Sequence, residues 1–179
     1  MAKEDATALK SMALCRALSA AELDAIAAIA ERREFAAGKE LFREGDAGDG
    51  LYLVVAGEVN VIKLSAEGEH VLAKLGAGAV LGEMSLITSD ARSATGRATA
   101  TTVVLHLPAA AFRSLLDAGS AAALKIGCAI AETLARRLAA MNNLVLGLSS
   151  GGKAAIDKTT GMKTQDLRNL HRTMQVWSF

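Results

Sequence analysis

Short runs in which apolar and polar residues alternate fill the chain between Lys39 and Leu107, and apolar residues recur at helical spacing on either side. On the N-terminal side, the first twelve residues are polar and alanine-rich and are expected to fray. Ser19 reads as an N-cap with Glu22 three residues on, the reciprocal pattern of a capping box. Leu23, Ile26, Ala27 and Ala30 then follow one helical face, with Glu31 and Arg32 on the other, and Arg33-Glu34-Phe35 leaves as a short strand. Between the helical segments the expected strands are Lys39 to Phe42, Leu51 to Val55, Val59 to Leu64, His70 to Leu75, Arg97 to Thr101 and Thr102 to Leu107. Glycines punctuate them at Gly38, Gly57, Gly68, Gly76 and Gly78. Many short strands with glycine turns and no intervening crossover helices predict an α+β chain built on a roll or sandwich.

On the C-terminal side, Pro108 suits the first turn of a helix running to Leu116, and Asp117-Ala118-Gly119 breaks it. Ser120 can cap a long helix from about Ala121 to Leu148. Leu124, Gly127, Ala131, Leu134, Leu138, Met141, Val145 and Leu148 fall on a and d positions of a heptad pattern. Small residues at Gly127 and Ala131 predict close packing onto the strands, and Leu134 to Leu148 a seam for a second subunit. Ser149-Ser150-Gly151-Gly152 reads as a linker. In the tail, Thr164 can cap a short helix whose face carries Leu167, Leu170, Met174 and Trp177. That helix suits docking to a partner, closing as a lid, or folding back on its own domain. The domain reading is therefore residues 1–148 as one domain, with 149–179 as linker and tail.

Composition narrows the function classes. The 179 residues are 51% hydrophobic but only 3% aromatic, so aliphatic side chains must fill the core. A net charge of +1 argues against nucleic acid as the main partner. The opening Met-Ala-Lys-Glu-Asp lacks the apolar core of a signal peptide, and no apolar run reaches spanning length, so a cytoplasmic protein without a transmembrane segment is expected. Cys15 and Cys128 are then expected to stay reduced, as small buried hydrophobes. His70, His106 and His171 lie far apart with no fixed carboxylate partner; each is expected at a surface or strand edge, and no metal site is expected. Gly45, Gly48 and Gly50 do not form a P-loop, because no Gly-Lys-Ser/Thr follows. No nucleophile–base constellation stands out, so an enzyme is not expected.

One stretch concentrates candidate chemistry: Leu81-Gly82-Glu83-Met84-Ser85-Leu86-Ile87 through Arg92-Ser93-Ala94-Thr95. Gly82 allows a sharp turn and close approach to a ligand. Glu83, Met84 and Ser85 open a short helix whose first N–H groups lack intrahelical partners and favour an anion. Arg92 adds a planar fork matched to two phosphate oxygens, and the Ser93 hydroxyl can donate once more. An ionised Glu83 only accepts hydrogen bonds, so it suits a sugar hydroxyl beside the phosphate rather than the phosphate itself. The pattern describes a phosphate next to a free ribose 2′-OH.

Gly82-Glu83-x-Ser85-Leu86, followed by Arg92-Ser93-Ala94-Thr95, resembles the phosphate-binding cassette of the cyclic nucleotide-binding domain family. Phe42-Arg43-Glu44-Gly45-Asp46 through Gly50-Leu51-Tyr52-Leu53-Val54-Val55-Ala56-Gly57-Glu58-Val59 is similar to the family's other signature. The resemblance covers roughly residues 14–148 and implies an eight-stranded β-roll (a double-stranded β-helix, jelly-roll-like) with N-terminal helices and a long C-terminal helix. It also implies binding without chemistry and without a cofactor: Glu83 on the ribose, Arg92 and Ser93 on the phosphate, and Gly82, Met84 and Ser85 as backbone positions. On the long helix, Asn142 or Asn143 would reach the base; a side-chain amide can pair with the N6/N7 edge of adenine. The resemblance further implies a homodimer through that helix. Gly96 departs from the family, which more often has valine there, and is expected to weaken the strand leaving the cassette. The family's bacterial transcription factors continue into a helix-turn-helix domain; 27 residues follow Gly152, so no DNA-binding domain is expected. The expected function is a cAMP sensor acting on an unidentified protein partner. cGMP, a cyclic dinucleotide, or a ligand-independent docking scaffold are the alternatives, and Ser93 leans slightly to cAMP.

Overall fold

The computed structural model describes residues 2–88 and 90–149. The expected tail features from Ser150 onward, with His171 and Trp177, lie outside the described residues.

Where fraying was expected, a helix forms, α1 (Ala2–Ser11). The buried Asp5 carboxylate takes the Arg32 guanidinium at 3.0 Å, and Leu9 and Met12 are fully buried, so tertiary contacts override the polar composition. After a single 3₁₀ turn at Ala13–Cys15 comes α2 (Ala20–Ala27), which carries the capping box. The Ser19 N–H donates to Glu22 Oε2 at 2.7 Å, and the Glu22 N–H donates to Ser19 Oγ. α2 stops at Ala27 rather than continuing through Ala30. Glu31 and Arg32, expected on its polar face, instead open strand β1 (Glu31–Phe35), because pairing with a strand 70 residues on satisfies their backbone groups.

The remaining strands are β2 (Glu40–Phe42), β3 (Gly50–Ala56), β4 (Glu58–Ser65), β5 (Gly68–Gly76), β6 (Val80–Leu81), β7 (Thr95–Ala98) and β8 (Thr102–Pro108), with helix α3 (Glu83–Thr88) between β6 and β7. They form two antiparallel four-stranded sheets, ordered β1-β8-β3-β6 and β2-β7-β4-β5. This is the eight-stranded roll that the family resemblance implies, and one of the two architectures, roll or sandwich, that the strand pattern predicts. Leu41, Tyr52, Val54, Val59, Leu81, Ala98 and Val104, drawn from both sheets, form one buried cluster. On β3, Leu51 and Leu53 alternate with Tyr52 and Val54, so they face the other side of the sheet. There they are also fully buried, as are Leu105 and Leu107 on β8. That second face is covered by helices. α4 (Ala109–Asp117) contacts β3 and β8 and buries Phe112 completely.

The long helix is α5 (Ala121–Ser149). Its start is rotated from the expected heptad face: Ala122, Ala123, Ile126 and Ile130 are buried, whereas Leu124 is 53% exposed and nothing lies within 4 Å of a Cβ placed at Gly127. An alanine-rich helix has more than one apolar face, and the one with isoleucines buries more area. The same rotation exposes Cys128, which was expected inside; Cys15 is buried. Lys125 pairs with Glu22 at 2.8 Å and ties α5 to α2. The chain divides after Ile130 into two units, residues 1–130 and 131–179. Within the second, Arg136 pairs with Glu132 one turn earlier at 2.9 Å, and Leu138 and Met141 are exposed. Among the described residues no single helix is long and apolar enough to cross a membrane.

Candidate functional site

The site is built where β6 ends and α3 begins. Gly82 turns the chain with φ +75°, a left-handed conformation that side chains resist. A Cβ there would lie 1.9 Å from Arg92 Nη1 and 3.0 Å from the Gly50 carbonyl oxygen. The close approach is therefore used: Nη1 donates to the Gly82 carbonyl at 3.2 Å, and Nη2 donates to the Gly50 carbonyl at 2.7 Å and to Asp49 Oδ1. The Arg92 side chain is 1% exposed. A buried guanidinium costs on the order of several kcal/mol in lost hydration unless acceptors replace the water. Here two carbonyls and a carboxylate do so. Its carbon also lies 4.4 Å from the Phe42 ring centroid and 5.4 Å from that of Tyr52.

Asp49 ties this arginine to a wider cluster. Its Oδ2 accepts from the Tyr52 hydroxyl at 2.9 Å and lies 3.7 Å from Arg33 and 3.4 Å from His106 Nε2. Burial pushes the Asp49 carboxyl up, but the Tyr52 and Arg92 hydrogen bonds outweigh it and hold it below its ordinary value. Burial and the Asp49 charge push the Tyr52 phenol up to about 12. His106, expected at a surface or strand edge, sits instead in the middle of the first sheet, its ring tilted against that of Tyr52 with centroids 4.5 Å apart, and 2% exposed. Burial and then Arg33 lower its pKa, against the pull of Asp49 and Glu31, so its charged form is disfavoured.

The arm carrying Arg92 and Ser93 is stitched to the loop before β3. The Arg92 N–H donates to the Asp46 carbonyl at 2.8 Å, and the Gly45 N–H donates back to the Arg92 carbonyl at 2.9 Å. The Glu44 N–H donates to Thr95 Oγ1 at 3.0 Å. The two signatures that are separate in sequence thus form one structural unit. Gly96 belongs to it as well. A Cβ there would sit 3.0–3.4 Å from three atoms of the Phe42 ring, so this glycine makes room for the aromatic that covers Arg92. Gly96→Val is expected to overpack that contact and cost about 1–2 kcal/mol in urea unfolding, despite valine's better strand propensity. Gly96→Ala should cost less.

Of the residues singled out in sequence, Gly82 and Arg92 are in contact, and Glu83 follows directly, 6% exposed. Met84 is 40% exposed, and Ser85 lies within α3. Ser93 is half-buried at the end of the stitched arm. Asn142 and Asn143 are exposed on α5, in the second unit. Sequence reading gave no role to Asp49, Phe42, Tyr52 or His106. The available signal was chemical: a buried arginine needs a counter-charge, and Asp49 stands beside Gly50 in the second signature. A cavity of about 830 Å³ lined by Lys39, Phe42, Arg43, Asp46 and Arg97 lies along β2 and β7, apart from Gly82 and Glu83. Among the described residues no group of His, Cys, Asp and Glu could hold a metal ion.

Residues 32–118 match the sequence model of the cyclic nucleotide-binding domain. The crystal structure of a cyclic nucleotide-binding domain from Methylobacillus flagellatus is 30% identical, with 81% of this chain and 82% of that one covered at a TM-score of 0.69. Among curated proteins, the cyclic AMP receptor protein of Thermus thermophilus is 38% identical over 100 residues, which is 55% of this chain and 46% of the receptor. Lysophospholipase NTE1 of Chaetomium globosum is 30% identical over 126 residues, 69% of this chain but 8% of that enzyme. The chain spans less than half the length of these two relatives. It belongs to the cyclic nucleotide-binding domain family.

Proposed function

We propose that the protein is a non-catalytic cyclic nucleotide sensor whose ligand is cAMP. The observation that carries this is the Arg92 guanidinium, buried and held by Asp49, Gly50 and Gly82 next to the buried Glu83. A guanidinium whose two terminal nitrogens are already held by acceptors binds a phosphate with little further loss of side-chain entropy. Arg92 and Ser93 then hold the phosphate with the backbone of Gly82, Met84 and Ser85, and Glu83 accepts from the ribose 2′-OH. Asn142 would read the adenine. Similarity to the Thermus receptor favours cAMP.

In this reading residues 1–148 sense the nucleotide in the cytoplasm, and 149–179 serve as linker and tail. The long helix pairs two copies, and a protein partner reads the change. A ligand shifts that balance only through contacts that differ between the two states.

The test is calorimetric titration of cAMP, cGMP and cyclic di-GMP into purified protein, beside Glu83→Gln. The expected result is cAMP binding that weakens about 10- to 100-fold in the variant, the range for losing a hydrogen bond to a charged acceptor. Binding of none of the three would reject the sensor and leave a ligand-independent docking scaffold.

A further inference from the structure

A second charged contact holds the phosphate-side arm, and nothing in the cassette pattern points to it. Lys63, on β4, reaches across to the arm: its Nζ donates to the Ser93 carbonyl at 2.9 Å and to Glu44 Oε1 at 2.6 Å. Glu44 Oε2 in turn accepts from the Leu64 N–H at 3.3 Å. The ammonium and carboxylate are 20% and 31% exposed, so the pair is partly shielded from solvent. Lys63 thus joins three separate stretches, namely β4, the loop before β3, and the residue after Arg92.

We propose that Lys63, held by Glu44, is a positioning residue for the phosphate site, acting through Ser93 rather than touching the ligand. The assignment rests on the cyclic nucleotide reading above. Its physical basis is the peptide it grips. Fixing the Ser93 carbonyl fixes the Ser93–Ala94 peptide plane, and with it the ψ angle of Ser93. The backbone bonds of Arg92 to Asp46 and Gly45 fix the other side of the same residue. Between these two anchors the backbone of Ser93 is held, so its Cβ is placed before a ligand arrives and only χ1 remains to direct the hydroxyl. Without the ammonium, the arm keeps the Arg92 anchor and loses the Ser93 one. The Arg92 fork would persist while the hydroxyl wandered, which separates this role from general support of the fold.

The experiment has two arms. The first measures cAMP affinity for wild type, Lys63→Met, Lys63→Arg, Ser93→Ala and the Lys63→Met/Ser93→Ala double variant. Lys63→Met should weaken binding about tenfold, Lys63→Arg should recover most of it, and the Lys63→Met loss should vanish when Ser93 is already alanine, because residues acting through one another are not additive. Additive losses, or no loss in Lys63→Met, would overturn the proposal. The second arm needs no nucleotide: amide exchange in the unliganded protein. In Lys63→Met the amides of Glu44 and Leu64, which are bonded to the arm and to the Glu44 carboxylate, should exchange about tenfold faster, while those of Gly45, Arg92 and Leu53 stay unchanged. Unchanged exchange at all five would show that no clamp exists. If wild type fails to bind cAMP, the nucleotide reading fails by itself, and the exchange arm still decides the clamp.

Discussion

Arg92→Ala is expected to weaken cAMP binding about 100- to 1000-fold, in the range found when one partner of a buried charged pair is truncated. The size follows from the setting. The guanidinium is 1% exposed, so its charge acts through little water, and both of its terminal nitrogens are already oriented by Asp49, Gly50 and Gly82. Alanine removes the fork and leaves a hole under the Phe42 and Tyr52 rings. Asp49 keeps the Tyr52 hydroxyl and lies 48% exposed, so its loss of a partner is softened by solvent. The fold should therefore survive with a loss of about 1–3 kcal/mol, read from urea unfolding. Arg92→Lys retains the charge but cannot serve carbonyl, carboxylate and phosphate together, so its affinity should fall between the two. Calorimetry on all three proteins checks the order.

The second large effect is expected at a residue with no side chain. Gly82→Ala should lower cAMP affinity about as far as Arg92→Ala, although it removes no ligand group. Two costs combine. At φ +75° an alanine is strained by about 1–2 kcal/mol. Its Cβ would also lie 1.9 Å from Arg92 Nη1, so the guanidinium must leave its seat. Thermodynamic stability should drop by only about 1–3 kcal/mol, since the strained residue sits at the edge of β6 rather than in the core cluster. Affinity falling far more than stability would mark Gly82 as the seat of the arginine. An alanine variant that binds like wild type would mean that Arg92 does not bind in the position seen here.

The roll was legible because its strands are short, alternating and separated by glycines, and because antiparallel neighbours in sequence pair in space, as β4 with β5 does. The candidate site could be picked out because Gly82, Glu83, Arg92 and Ser93 lie within a dozen residues of one another. What escaped depends on pairing between segments distant in sequence. His106 meets Tyr52 only after β3 and β8 pair in a particular alignment, and Asp49 meets Arg92 only after the loop before β3 bonds to the arm before β7. Local pattern carries no information about either pairing. The face of α5 was misread for a different reason. Alanines at Ala121, Ala122, Ala123 and Ala129 let several stripes pass as apolar, and Ile126 and Ile130 decided which one is buried. Gly96 reads as a weak point in a strand until Phe42 is seen against it.

We propose that the nucleotide's phosphate binds Arg92 and Ser93, with the ribose on Glu83. The crystal structure of the protein with cAMP tests it most directly. Phosphate oxygens are expected within hydrogen-bonding distance of the Arg92 guanidinium and the Ser93 hydroxyl, and the 2′-OH on the Glu83 carboxylate. A nucleotide seated instead in the cavity between Lys39, Arg43 and Arg97, with Arg92 still turned wholly to Asp49 and Gly50, would contradict it.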